Sequence, residues 1–71
     1  MTPVKLLDVV ALLVEKPQDG LVVGQVGTVV EVLGPDVFEV EFLDSNGKTI
    51  AVTELKRPEV LVLKHEPAVA A

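Results

Sequence analysis

The segment Val37–Leu43 has the clearest pattern in the sequence, because within it Phe38, Val40 and Phe42 alternate with Glu39 and Glu41. A period of two residues is that of a β-strand, in which successive side chains point to opposite faces. The pattern therefore predicts an antiparallel strand with one face buried and the other in water. The rest of the chain has to supply the strands that pair with it.

A turn follows this strand, because residues 44–47 read Asp-Ser-Asn-Gly. Asn46 and Gly47 both tolerate the positive φ that tight hairpin turns need. The remaining valine-rich segments are separated by Gly, Pro and Asp, which favour turns. We expect strands at residues 8–15, 24–33, 37–43, 48–55 and 60–63, turns at 17–20 and 34–36, and a single 3₁₀ turn at 56–59.

Five short strands joined by hairpin-like links favour a small barrel, because curling one sheet onto itself removes its edges and encloses a core. Gly24 and Gly27 would allow sharp bends at the corners, and we assign Gly34, Asn46 and Gly47 to turns. The sequence therefore predicts an all-β fold, a small five-stranded barrel of the SH3-like kind. It would form a single domain over residues 1–71, with its core at 5–64 and a flexible tail at 65–71.

Composition limits the partners and the compartment. The chain has no cysteine, so it contains neither a disulfide nor a thiolate metal site. Its net charge of −5 argues against nucleic acid and anionic lipid as partners, because both are negatively charged. The first residues do not resemble a signal peptide, and no apolar run is long enough to cross a membrane. We therefore expect a cytoplasmic protein.

The stretch from Gly20 to Val32, which reads GLVVGQVGTVVEV, and the Phe-Glu-Val-Glu-Phe stretch after it carry a family resemblance. They resemble the small bacterial family catalogued as domain of unknown function 4926, and the similarity covers most of the chain. The resemblance implies an SH3-like barrel with no assigned activity. The Gly-x-Val core is also similar to KOW motifs, to the photosystem I subunit PsaE and to the barrel of the nitrile hydratase β-subunit, but a shared fold does not transfer function.

Every candidate for chemistry favours a structural interpretation. Gly24 and Gly27 lack the basic and aromatic neighbours of an RNA-binding loop. Residues 44–47 lack the later bidentate Glu of a calcium loop. His65 has no second metal ligand and no partners for a catalytic triad. We predict no catalytic residue, no metal ligand and no cofactor, and we do not expect an enzyme.

Aliphatic doublets at residues 9–10, 12–13, 22–23 and 29–30 place apolar side chains on both faces of their strands. A strand that is apolar on both faces usually has both faces covered. Loops or the tail, a second copy of the chain, or a different protein could supply the cover, and the sequence leaves these three open. The predicted partner face consists of Val10, Leu13, Val30, Glu31, Glu39 and Glu41.

Binding is the function that these features favour. We expect a non-catalytic module that docks on another protein, most simply a basic one, as an antitoxin-like or regulatory companion would; a homodimer is the other form of docking. Two alternatives stay open. One is an RNA- or ribosome-associated module similar to KOW proteins, and the other is an accessory barrel in an enzyme complex, as in nitrile hydratase.

Overall fold

The valine-rich segments form five antiparallel strands in the computed structural model, which describes residues 3–63. The strands are β1 (Val9–Leu12), β2 (Val26–Gly34), β3 (Val37–Leu43), β4 (Thr49–Lys56) and β5 (Val60–Val62). Two short 3₁₀ turns, η1 (Pro17–Asp19) and η2 (Arg57–Glu59), precede β2 and β5. The tail predicted at 65–71, with His65, lies outside the described residues.

One sheet contains all five strands, in the order β4-β3-β2-β1-β5. Every neighbouring pair is antiparallel, and residues 3–63 include no α-helix. The all-β, five-stranded prediction is therefore confirmed. No ladder in the described part of the chain joins the edge strands β4 and β5, so the hydrogen-bonded sheet is open.

The alternation predicted for β3 is confirmed residue by residue. Phe38, Val40 and Phe42 are buried, whereas Glu39 and Glu41 on the opposite face are partly exposed. The buried side chains of the other strands pack on the same inner face, together with Leu21 from the segment after η1. Burying the phenylalanines stabilises the fold by about 2 kcal/mol each, so β3 lies at the centre of the core.

Three register shifts interrupt the regular pairing. The β2–β3 register shifts between Val29 and Glu31, which leaves Val30 as an extra residue, and again between Val32 and Gly34, which leaves Leu33 as an extra residue. The β3–β4 register shifts at Leu43, which leaves Ile50 as an extra residue on β4. A bulge reverses the facing of every residue beyond it relative to a regular strand. The bulges at Val30 and Ile50 therefore decide which side chains lie beside Glu39 on the outer face of the sheet.

The glycines predicted to form turns have three different roles. Gly47 has a left-handed φ of +80° in the β3–β4 hairpin, whereas Asn46 does not. The Asn46 N–H instead donates to the Asp44 carboxylate at 2.8 Å. Gly24, with φ +91°, lies in the turn before β2, and Gly34 ends β2.

Gly27, predicted to allow a sharp bend of the sheet, lies inside β2, where the paired strand β3 approaches closely. A Cβ there would lie 2.6 Å from Val40 Cγ1, 2.8 Å from the Glu41 carbonyl oxygen and 2.9 Å from Phe42 Cδ2. Contacts this short leave no room for a side chain. The glycine is required because atoms of its paired strand β3 lie this close to it.

Candidate interaction surface

Three glutamates lie side by side across the outer face of the sheet. Glu31 on β2 is the direct cross-strand partner of Glu39 on β3, and Glu39 is the direct partner of Glu54 on β4. Directly opposed residues in an antiparallel sheet have Cβ atoms about 5 Å apart, and like charges at that distance destabilise the sheet. We call these three residues the acidic row.

A fourth carboxylate lies next to the acidic row. Glu41 follows Glu39 on the same face of β3, and its direct partners are Thr28 and Val52. Its Oε2 accepts a hydrogen bond from the Thr49 hydroxyl at 2.7 Å. No salt bridge involves these four glutamates in residues 3–63, where the one ion pair joins Lys16 to Glu59. No salt bridge within the described chain therefore pairs the carboxylates of this face.

The other end of the outer face is apolar. Leu61 on β5, Ala11 on β1 and Val26 on β2 form a second cross-strand row. Leu13 follows directly after the end of β1, two residues beyond Ala11. Leu13, Val26 and Leu61 are each about half exposed, at 47%, 48% and 53%. We call these three exposed side chains the apolar patch. Exposed apolar side chains that cluster in this way are typical of contact sites.

A strained turn lies beside β2. Lys5 to Asp8 form a β-turn in which Asp8 N–H donates to the Lys5 carbonyl at 3.0 Å, and Leu7 takes a left-handed φ of +72°. Leu7 N–H donates to the Val29 carbonyl at 2.8 Å, although its side chain is 70% exposed. Leucine rarely adopts this conformation because its Cβ crowds the backbone.

Glu59 holds several elements together at one end of the sheet. Its Oε2 accepts from Lys16 Nζ at 2.8 Å, and its Oε1 accepts from the Lys56 N–H at 2.9 Å. The hydrogen bond from Lys16, supported by that from Lys56, lowers the pKa of Glu59 below its usual 4.5, although burial opposes this shift. The arrangement fixes the end of β4 against the segment between β1 and η1.

A shallow cleft of about 370 Å³ lies near η2, lined by Asp36, Lys56, Arg57 and Pro58. The Arg57 side chain there donates from Nη1 to the Val60 carbonyl at 3.2 Å. Within residues 3–63 no cluster of His, Cys, Asp or Glu is arranged to hold a metal ion. The same residues contain no helix long and apolar enough to span a membrane.

Five of the six residues predicted for the partner face are accessible. Leu13, Val30 and Glu31 are exposed, and Glu39 and Glu41 are partly exposed. The two glutamates of β3 and Glu31 lie together, whereas Leu13 lies at the apolar end. Val10 is fully buried, so it belongs to the core and does not contact a partner. The doublet has the opposite facing from the one predicted, and Val9 is its more exposed member.

The sequence interpretation missed Val26, Leu61 and Glu54. Val26 and Leu61 join the surface through their common partner Ala11, and this pairing involves strands far apart in the chain. Glu54 opposes Glu39 only because Ile50 bulges out of β4. A regular hairpin would place Thr53 there instead. No signal in the local sequence marks the bulge.

Comparison with known proteins identifies one family. The family described as Domain of unknown function (DUF4926) matches residues 6–62. This range contains all five strands and both parts of the surface described above. No curated protein and no solved structure matches the chain.

Proposed function

This chain belongs to the DUF4926 family, and from its surface we propose that it is a non-catalytic module that docks on a basic protein. The observation that carries the proposal is the acidic row, in which Glu31, Glu39 and Glu54 are direct neighbours across three strands. Such a row costs stability, because like charges lie opposite one another. A partner that places Lys or Arg over the row would remove this cost on binding.

The apolar patch supplies the other half of the proposed contact. Charged groups at an interface set the approach and the orientation of the partner, whereas buried apolar and aromatic groups hold it. Leu13, Val26 and Leu61 provide exposed apolar area on the same face of the sheet as the acidic row. We therefore expect a partner surface with apolar side chains at one end and basic side chains at the other.

A second copy of the chain fits this face poorly. Two copies that met through their outer faces would bring further carboxylates towards the acidic row, because each copy carries a net charge of −5. Like-charged juxtaposition at an interface costs several kcal/mol. The proposal therefore favours a different, basic protein over a homodimer.

The test is a comparison of two variants with the same net charge. One carries Glu31→Gln, Glu39→Gln and Glu54→Gln, and the control carries three amide substitutions away from the row, at Glu15, Asp19 and Asp36. Each triple variant changes the formal net charge from −5 to −2, since three carboxylates are removed. Purified protein of each kind is used to capture partners from the native host, and the captured protein is identified and its affinity measured by calorimetry.

We expect the wild type and the control to bind one basic protein with similar affinity and the row variant to bind it at least about tenfold more weakly. Equal affinity for all three proteins would contradict the proposal. Capture of RNA by the wild type would favour the RNA-associated alternative instead.

We propose further that the open sheet curls into an SH3-like barrel. One contact supports this proposal. η1 lies against β4, which brings the segment after β1 towards the far edge of the sheet, as the curling of a sheet into a barrel requires. The barrel would be partly open, because no ladder in residues 3–63 pairs β4 with β5.

A further inference from the structure

The outer edge of β4 offers unpaired backbone groups. Arg57 N–H donates to the Asp36 carbonyl at 3.0 Å. This bond shows which residues of β4 direct their backbone groups towards β3 and which direct them away. In an antiparallel pair, alternate residues direct both backbone groups to the same neighbour. The backbone N–H and C=O groups of Thr53 and Leu55 therefore point towards β3, whereas those of Val52 and Glu54 point away from the sheet.

One end of this edge is closed, because the Lys56 N–H donates to the Glu59 carboxylate at 2.9 Å. At the hairpin end the Lys48 N–H donates to the Asp44 carboxylate at 2.9 Å and the Lys48 carbonyl accepts from Asp44 N–H at 2.8 Å, so these groups point towards β3. The regular part of the open edge lies beyond the bulge at Ile50. It is the stretch Val52–Glu54, a length that suits a short added strand.

Thr53, between these two residues, adds an independent observation. It is 8% exposed, and its Oγ1 has no hydrogen-bond partner in the part of the chain that the structure describes. A buried hydroxyl without a partner costs about 1–3 kcal/mol. Cross-strand pairs of Ser or Thr hydroxyls form hydrogen bonds, so a residue of an added strand opposite Thr53 would satisfy this group.

From these observations we infer that the open edge of β4 binds a short extended segment of the basic partner as a sixth strand. The segment would place Lys or Arg opposite Glu54, Ser or Thr opposite Thr53 and an aliphatic residue opposite Val52. The basic side chain would lie next to Glu54 at the end of the acidic row and would neutralise the charge of that glutamate. This inference rests on the proposed function and names the contact through which the partner is recognised.

A second copy of β4 does not meet these requirements. Lys48 and Lys56 are the bases that flank the open stretch, and their backbone groups are already engaged. Pairing of Val52–Glu54 with itself would place Glu54 opposite Val52 or opposite another Glu54. The charges therefore select a different chain as the occupant.

The experiment uses the peptide acetyl-Thr-Lys-Thr-Val-Thr-Lys-Thr-amide, which reads the same in both directions and so fits either strand orientation. A matched peptide with Glu in place of both Lys is the control. Amide hydrogen exchange of the ¹⁵N-labelled full chain is followed by NMR with and without each peptide. We expect the basic peptide to slow exchange at Val52 and Glu54, with little change at Thr53 and Leu55, which already bond to β3.

Two pairs of variants test the contact. Val52→Pro removes the outward N–H, whereas Val52→Thr keeps it, so only the first should lose peptide binding. Glu54→Lys should bind the basic peptide about tenfold more weakly and gain affinity for the acidic one. This exchange of preference keeps the test decisive if Val52→Pro does not fold.

Binding of neither peptide, or binding without slower exchange at Val52 and Glu54, would overturn the inference. If exchange instead changed across Leu13, Val26 and Leu61, the partner would use the outer face alone and the proposed function would stand. If the row variant kept full affinity for the host protein, the proposed function itself would fail.

Discussion

At the scale of single residues, Gly27 is the position where the fold leaves the least choice. Its missing side chain lets β3 pass so closely that two of the three nearest neighbours are the Glu41 carbonyl oxygen and Val40 Cγ1. A backbone atom cannot move aside as a flexible side chain can. Substitution here therefore has to displace a strand.

We predict that Gly27→Ala destabilises the protein by about 2 kcal/mol, the usual cost of overpacking a core, and that Gly27→Val costs more. The matched control is Gly34→Ala, because a Cβ at Gly34 meets nothing within 4 Å and its φ is not left-handed. The control should be neutral or slightly stabilising. Urea denaturation measures both, and equal stability of the two alanine variants would contradict the prediction.

Leu7 is a position where the backbone conformation suits glycine or asparagine better than the leucine that occupies it. A left-handed conformation costs a branched residue about 1–2 kcal/mol, and Leu7 gains little from burial because it is 70% exposed. We predict that Leu7→Asn raises the melting temperature by a few degrees. Leu6→Asn, at an exposed neighbour without the strained φ, should not. A lower melting temperature for Leu7→Asn would mean that its side chain packs in the folded protein.

At the scale of elements, η2 depends on one carboxylate. Glu59 accepts hydrogen bonds from Lys16 and from the backbone of Lys56, and these bonds lower its pKa in the folded state. A group with a lowered folded pKa stabilises the fold above its unfolded pKa, and this stability is lost as the pH falls through the folded value.

We therefore predict that stability decreases as the pH falls below about 4.5, the ordinary pKa of Glu59, and that Glu59→Gln makes this decrease shallower. Urea denaturation at stepwise lower pH tests both statements. Glu15→Gln, which removes an exposed carboxylate, should leave the Glu59 contribution unchanged. A pH profile that Glu59→Gln does not alter would show that the Lys16 pair adds no stability.

The elements also show how far the sequence predicts this fold. β3 was predicted with its bounds and both of its faces, since strict alternation fixes a strand wherever one face is buried. β1 was predicted at 8–15 but ends at Leu12; the Leu13 N–H still donates to the Glu59 carbonyl in register with β5, and the chain then turns into η1. The bulges at Val30 and Ile50 were not predicted. They arise from pairing between strands, which no local pattern encodes, and they place Glu31 and Glu54 beside Glu39.

At the scale of the whole molecule, the acidic row and the apolar patch lie at different ends of the outer face. The acidic row occupies β2, β3 and β4, with the exposed Val52 beside Glu41, and the apolar patch occupies β1, β5 and the start of β2. The aliphatic surplus in the sequence predicted a second apolar surface, but its position depends on the sheet order. The function proposed for this surface follows from that arrangement.

The acidic row has a consequence for the behaviour of the protein in electrolyte. Dissolved ions screen charges over about 10 Å at 0.1 M and about 3 Å at 1 M, so repulsion among Glu31, Glu39 and Glu54 weakens as sodium chloride is added. We predict that the free energy of unfolding rises by about 1 kcal/mol over this range, and by less when the three glutamates are replaced by glutamine. A decrease would mean that the repulsion is already relieved in the free protein. High salt would thus stabilise the free protein, whereas the same salt concentration would lower the affinity of its complex with a basic partner.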